Sequence, residues 1–450
     1  MKDPYILDHQ NIKDPPTGFF RKLKHLGPGF ILSASVVGSG ELISTTTLGA
    51  KAGFTTFWVI LISCMVKVAL QLEFGKQSIR TGETVMMSLN KLPGPRWGKR
   101  KVHWSLWSWL YPWAFKLLQL GGIIGGVAIS LHLIIPALPV AGYAVITAVI
   151  VAAMVFKGYY SFIETMSVLL MALFTVFTIM AVFFLQSTPH AINLDQVLEG
   201  LTFNLPAGTV GFAIAAFGLT GVGGDEIVAY NYWCLEKGYA RYTGPFENTK
   251  AWYNRAKGWV KVMYLDAILS MVVYTLVTAA FYLLGAAVLN KRGALPSGFD
   301  MIETLSLMYT DSYGPWAKMV FLIGSFVVLF STLFSGLAAR TRIFPDLFGQ
   351  VGWIDFFDMK QRKKVIAWSA WILPGLWLIA LLFIKLPVIM VTIGGIVTFI
   401  MLLIIVFGGL HFRFYRNQFG LPPGKFYDIA LLLSAIAIVL VGVYSIYRLF

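Results

Sequence analysis

About eleven apolar runs follow one another along this chain, each near the ~20 residues that cross a bilayer as a helix. They lie near 30–50, 54–76, 106–134, 139–157, 159–186, 207–235, 260–289, 313–339, 365–384, 387–412 and 427–448. A bilayer core has no water to satisfy an open backbone, so a chain of this kind is restricted to an all-α polytopic bundle. With 57% of 450 residues hydrophobic and only 13% charged, no soluble domain is expected. Residues 1–28 are polar and contain proline but lack a signal peptide's apolar core, so the first run is expected to stay in the membrane. Cys64 and Cys234 imply neither a disulfide framework nor a zinc site.

The net charge of +15 raises the question of nucleic acid, and the placement of the charges answers it. Assigning connections alternately puts about 28 of the 36 Lys and Arg on one side and about six on the other. The basic clusters are Arg21, Lys22 and Lys24; Lys91, Arg96, Lys99, Arg100 and Lys101; Arg241, Lys250, Arg255 and Lys257; and Arg340, Arg342, Arg362, Lys363 and Lys364. None occurs between Lys157 and Lys237. The positive-inside rule then places the N-terminus in the cytoplasm and the C-terminus outside, in a cell membrane, with lipid rather than nucleic acid as the large partner. The longest connections, about 80–105 and 236–259, read as cytoplasmic lids or interface segments.

Two runs are interrupted by glycine: Gly38-Ser39-Gly40 in the first, followed by Glu41, and Gly223-Gly224 in the sixth, followed by Asp225 and Glu226. Paired breaks at corresponding positions of two five-helix halves point to an inverted-repeat transporter with a midplane site. Unwound backbone at that depth is tolerated only where it lines a cavity or is buried in protein. Glycine also lets helices pack closely, which is the simple account of GGIIGG at 121–126. A half-helix that starts after a break has free N–H groups and a positive end, so Ser39 suits an N-cap and Glu41 the first turn. The acids at both breaks either finish helix ends or favour a cation over an anion. Carboxylates beside free carbonyls suit a hard divalent ion, with Glu41 and Asp225 as candidate metal ligands.

Lys67 lies deep in the second run; it pairs with Glu41, Glu73, Glu164 or Asp225, supplies a fixed positive charge in place of a coupling ion, or snorkels. Lys116, nearer its helix start, is expected to snorkel. The aromatic stretch Trp104–Trp113 reads as an interfacial belt. Cys234 reads as buried filler, and none of the six histidines falls in a break. With no nucleophile elbow, P-loop or metalloprotease motif, neither an enzyme nor a resident cofactor is expected.

The residues from Gly27 to Phe54 resemble the first helix of the Nramp divalent-metal transporters, with the family's Gly-Pro-Gly-Phe opening. Gln71, Thr81 and Gly82, then Gly158, Tyr160 and Glu164, and Ser331–Arg340 are similar to that family's second, fifth and eighth helices. The resemblance implies a LeuT-type 5+5 inverted repeat, with repeats at 29–186 and 207–412, an eleventh helix at 427–450, and helices 1 and 6 broken. It also implies secondary-active transport of a divalent metal ion. The family's Asp-Pro-Gly-Asn motif falls here on Gly38-Ser39-Gly40-Glu41, and its Met-Pro-His segment on Val222-Gly223-Gly224. The family's third-helix acids fall on Gln119 and Gly122. Without the thioether, a hard ion such as Mg or Mn is favoured over soft transition metals. The candidate substrate site is Gly38, Ser39, Glu41, Thr220, Val222, Gly223, Asp225 and Glu226, with Lys67, Gln119 and Glu164 as coupling or gating candidates. Gly-Ser-Gly also resembles amino-acid carriers of the same superfamily, leaving open an amino acid or other organic solute. A non-transporting sensor or scaffold on the same fold is the remaining alternative.

Overall fold

The structure is a computed structural model that describes residues 3–29, 33, 36–157, 160–415 and 424–449. Gly158 lies outside the described residues, as does the side chain of Glu164. Eight described helices are long and apolar enough to cross a membrane: Phe57–Thr81, Trp104–Ile134, Ala207–Lys237, Lys250–Asn290, Ala317–Val351, Met359–Ile384, Pro387–Phe414 and Lys425–Tyr444. Helices Val140–Lys157 and Tyr160–Leu185 supply the fourth and fifth spans, and the first span runs into Thr46–Ala52. The order of elements matches the eleven expected from hydropathy.

The third span sits at the centre, packed against the eighth, ninth and tenth, while the second packs on the seventh. Glycines set how closely the backbones cross. A Cβ on Gly218 of the sixth span would stand 2.1 Å from the Gly395 carbonyl of the tenth. Between the first span and the seventh, a Cβ on Gly49 would lie 2.6 Å from the Tyr282 carbonyl, and one on Gly285 2.6 Å from that of Thr46. GGIIGG does the same for the third span, with Gly121 against the Trp377 carbonyl and Gly122 against that of Pro387. Any side chain at these points would push the helices apart.

Several connections carry structure that hydropathy does not show, among them short helices at Leu194–Glu199 and Tyr239–Thr243. Residues 85–103 form a short helix, Val85–Asn90, and a two-stranded hairpin in which Arg96 pairs with His103. Helix Met301–Tyr313, between the seventh and eighth spans, buries Met301, Ile302, Leu305, Met308 and Tyr309. The polar N-terminal segment is strapped across the ends of several spans. The Tyr5 hydroxyl donates to Glu236 at 2.7 Å, Arg362 donates to Asp3 at 2.7 Å, and the Trp259 indole donates to the Lys13 carbonyl at 3.0 Å. Burial, reinforced by the Glu236 charge, pushes the Tyr5 hydroxyl well above its ordinary pKa and keeps it a donor.

Candidate functional site

The two glycine-marked segments behave differently. In the first span Ser39 is helical (φ −65°, ψ −28°), and no hydrogen bond from its side chain caps a helix. The chain there widens into a π-turn, Gly40–Thr45, with Leu42 N still donating to the Gly38 carbonyl at 2.9 Å. The expected N-cap at Ser39 is therefore not formed, because Val37 and Gly38 make the turn and Ser39 already lies inside the resumed helix. Thr45 and Thr46 donate from their hydroxyls to the Gly40 and Glu41 carbonyls within this wide turn, at 3.0 and 3.3 Å.

In the sixth span the helix opens. Thr220 N makes the last bond of the first half, to the Ala216 carbonyl at 2.8 Å. Thr220 is then extended (φ −70°, ψ 144°), Gly221 takes a left-handed φ of +61°, and Gly223 is extended (φ −80°, ψ 179°). The second half, Gly224–Lys237, begins one residue later with Asp225 and Glu226 in its first turn. At Gly221 both the positive φ and the space require glycine, since a Cβ would meet Cys64 Cα and the Tyr274 ring, each at 3.1 Å.

Glu41 joins the two segments. Its carboxylate is fully buried and accepts from Gly38 N at 3.3 Å on one oxygen. On the other it accepts from Gly221 N and the Thr278 hydroxyl, both at 3.2 Å. A continuous helix would bond Gly221 N to the Phe217 carbonyl; here that N–H is turned to Glu41, and the carbonyl is released. Lys67, also fully buried, takes the released end, donating from Nζ to the Phe217 carbonyl at 2.7 Å and to that of Thr220. Lys67 therefore does not snorkel, and carbonyls rather than a carboxylate are its hydrogen-bond partners.

A second charged cluster sits at the start of the second half-helix. One Asp225 oxygen lies 3.1 Å from Lys116 Nζ and 3.0 Å from Arg340, and Lys116 also donates to the Thr398 hydroxyl at 2.5 Å. Lys116 is 2% exposed, which corrects the expectation that it snorkels: Asp225 and Thr398 replace the water it would otherwise seek. Arg340, counted above with a basic connection, lies inside helix Ala317–Val351, which runs further than hydropathy suggests. Glu226 is half-buried beside this cluster. One turn from Lys116, Gln119 packs against Gly394 of the tenth span. The other Asp225 oxygen and the Gln119 side-chain oxygen have no hydrogen-bond partner among the described residues.

The structure thus brings Gly38, Glu41, Thr220 and Gly221 to one point, and Asp225 with Lys116 and Arg340 to another. Glu41 and Asp225 take separate partners. Among the described residues no group of three or more His, Cys, Asp and Glu side chains is arranged to hold a metal ion. Val222 and Gly223 are buried in the break. The residues that sequence reasoning missed are Ser63, Lys116, Gly221, Thr278, Arg340 and Thr398. Gly221 carried a signal as the first glycine of Gly-Val-Gly-Gly, and Lys116 as a charge within an apolar run.

Two broken or distorted spans crossing at a buried carboxylate, within eleven helices, define a LeuT-type transporter fold. It superposes on a mutant of the Eremococcus coleocola manganese transporter with a TM-score of 0.61 at 14% identity, over 98% of this chain and 90% of that one. MhsT in complex with L-phenylalanine (TM-score 0.58, 14% identity, 97% and 100% covered) and the nucleobase-cation-symport-1 transporter Mhp1 (0.58, 14%, 98% and 96%) share the fold. The chain belongs to the Nramp family: the model for natural resistance-associated macrophage protein-like sequences matches residues 29–448. Among curated relatives, the metal transporter Nramp6.2 of Populus trichocarpa is 29% identical over 24% of this chain and 18% of its own length. The divalent metal cation transporter MntH of Nostoc is 28% identical over 37% of each chain. In both the match spans well under two thirds of the relative's length. MntH of Xylella fastidiosa is 24% identical over 80% of this chain and 71% of its own.

Proposed function

We propose that this Nramp-family chain is a secondary-active transporter whose substrate is a divalent metal cation of the hard class, Mg or Mn. Its halves are 29–186 and 207–412, with 427–450 as an added span and the N-terminus in the cytoplasm. The substrate passes between the first and sixth spans, along Gly38, Ser39, Glu41, Thr220, Val222, Gly223, Asp225 and Glu226. The observation that carries this reading is the Glu41 carboxylate, buried where the two segments cross and held by N–H groups of both. A cation arriving there competes with Gly38 N, Gly221 N and the Thr278 hydroxyl for the same oxygens. Drawing Glu41 away releases the backbone at Gly221, so binding is spent on moving the sixth span against the first. Relatives named as divalent metal cation transporters support the substrate class, and the absence of a thioether at Val222 supports a hard ion over a soft one.

The test is uptake of manganese and magnesium into proteoliposomes, with cadmium as the soft competitor. Saturable manganese or magnesium uptake that Glu41→Gln abolishes is the expected result. Wild-type rates in Glu41→Gln, or tight selective cadmium binding, would overturn it. One observation favours a second reading. Lys116 and Arg340 beside Asp225 give the second half-helix a cationic start, which suits the carboxylate of an amino acid. Labelled amino-acid uptake without metal flux would establish that reading instead.

A further inference from the structure

The released end of the first half of the sixth helix is an oxygen cradle. The Phe217 and Thr220 carbonyls have lost their helical partners, since Gly221 N is turned to Glu41 and Gly224 N lies beyond the break, at the start of the second half-helix. The Ser63 hydroxyl, one turn before Lys67 on the second span, reaches the same oxygens at 2.9 and 3.3 Å. The Thr220 hydroxyl in turn donates to Ser63 at 2.8 Å. Phe217, Thr220, Ser63 and Lys67 are each buried to 0% exposure. Convergent carbonyl and hydroxyl oxygens at the negative end of a half-helix, shielded from water, make a site for a cation without water in its shell. In this chain the occupant is covalently attached.

We propose that the Lys67 ammonium is a tethered cation filling this cradle, and that its removal leaves a site for a free monovalent cation, an alkali-metal ion or a short alkylammonium. The two charges of the crossing are then complementary halves of one opened hydrogen bond, Glu41 on the N–H and Lys67 on the carbonyl. With the positive half built in, the cradle needs no dissociable ion to hold the break open. The Gly221 turn brings that backbone to Cys64, one helical turn before Lys67, so the ammonium reaches the carbonyls without leaving its own helix. The inference goes beyond the transport reading above and is read out by stability, so its failure and the failure of metal flux are separate results.

The experiment is thermal unfolding of the purified full chain, wild type and Lys67→Ala, in choline chloride with increasing sodium, potassium or n-butylammonium. Lys67→Ala should melt lower in choline and regain about 2 °C or more, saturably, with sodium or butylammonium. Wild type should show no saturable response, and adding Ser63→Ala to Lys67→Ala should remove the gain. If Lys67→Ala aggregates in choline, purification with butylammonium should return monodisperse protein. No cation-dependent gain or recovery, or equal sodium stabilisation of wild type, would overturn the proposal. So would an unchanged melting temperature in Lys67→Met, which keeps the reach and removes the charge.

Discussion

The first and sixth spans carry nearly the same local signal, glycines followed by an acid, and fold it in different ways. The first is interrupted only by a turn at Val37 and Gly38; the helix resumes at Ser39 and widens from Gly40, and the Gly40 and Glu41 carbonyls are met by Thr45 and Thr46 from the next turn. Thr220–Gly223 opens fully, and the groups it frees are met by charges from other spans, Glu41 and Lys67. Glycine permits a break, but a partner for each freed N–H and carbonyl decides whether one forms. Where partners lie on the same helix the interruption is one turn; where they arrive from outside, the helix opens.

The largest expected effect falls on the charged cluster behind the opened segment. Asp225→Ala removes the shared partner of Lys116 and Arg340 and leaves two buried cations facing each other. Breaking a buried pair from one side costs about 3–5 kcal/mol, so this variant should be recovered poorly or melt well below wild type in detergent. A melting temperature within a degree of wild type would show that water or lipid headgroups already reach the cluster.

Next comes the direct comparison of the two glycine segments. Gly221→Ala carries a left-handed φ and a Cβ 3.1 Å from Cys64 Cα, together worth about 2–4 kcal/mol. Gly40→Ala meets Leu219 as closely, its carbonyl oxygen at 3.0 Å and its Cβ at 3.3 Å, but carries no left-handed φ, and is worth about 1 kcal/mol. Unfolding curves of the two variants should therefore separate clearly, and equal losses would break the contrast between an opened and a widened helix.

Much of this contrast was hidden in the sequence, for a physical reason. Hydropathy finds a span because burial in lipid is a property of the run itself, which is why the order of eleven helices was legible. The acids at Glu41 and Asp225 stood out because a carboxylate is costly inside a membrane wherever it sits. What each acid touches depends on other helices: Thr278 comes from the seventh span, Arg340 from the eighth and Thr398 from the tenth. Ser39 illustrates the limit most directly. Its type and position suit a cap, but the helix resumes at Ser39 itself, so the residue sits inside the helix rather than before it.

Glu41→Gln sharpens the comparison because one side chain serves both segments. The carboxylate accepts at both oxygens, whereas an amide offers one acceptor and turns a donor toward an N–H. Either Gly38 N or Gly221 N must lose its partner, at about 1–3 kcal/mol. The Thr278 hydroxyl can rotate to accept, so the amide group is expected to point its donor away from the Gly221 side only if Gly38 N finds another acceptor. Hydrogen exchange should quicken at one of the two glycines and not at both. Acceleration at neither would show that Glu41 is not the acceptor that joins them.

The smallest effect is expected at Ser39, where a cap and a continuing helix make opposite forecasts. An N-cap serine changed to alanine typically costs about 1 kcal/mol, because a freed N–H at the helix start loses its acceptor. In this structure Ser39 is helical and makes no cap bond, and Leu42 N already has the Gly38 carbonyl. Alanine also has the better helix propensity, a difference of some tenths of a kcal/mol. Ser39→Ala should therefore leave the melting temperature unchanged within about 0.5 kcal/mol or raise it slightly. A loss near 1 kcal/mol, read from thermal unfolding beside Gly40→Ala, would mean that the first span opens as the sixth does. The two segments would then differ in degree rather than in kind.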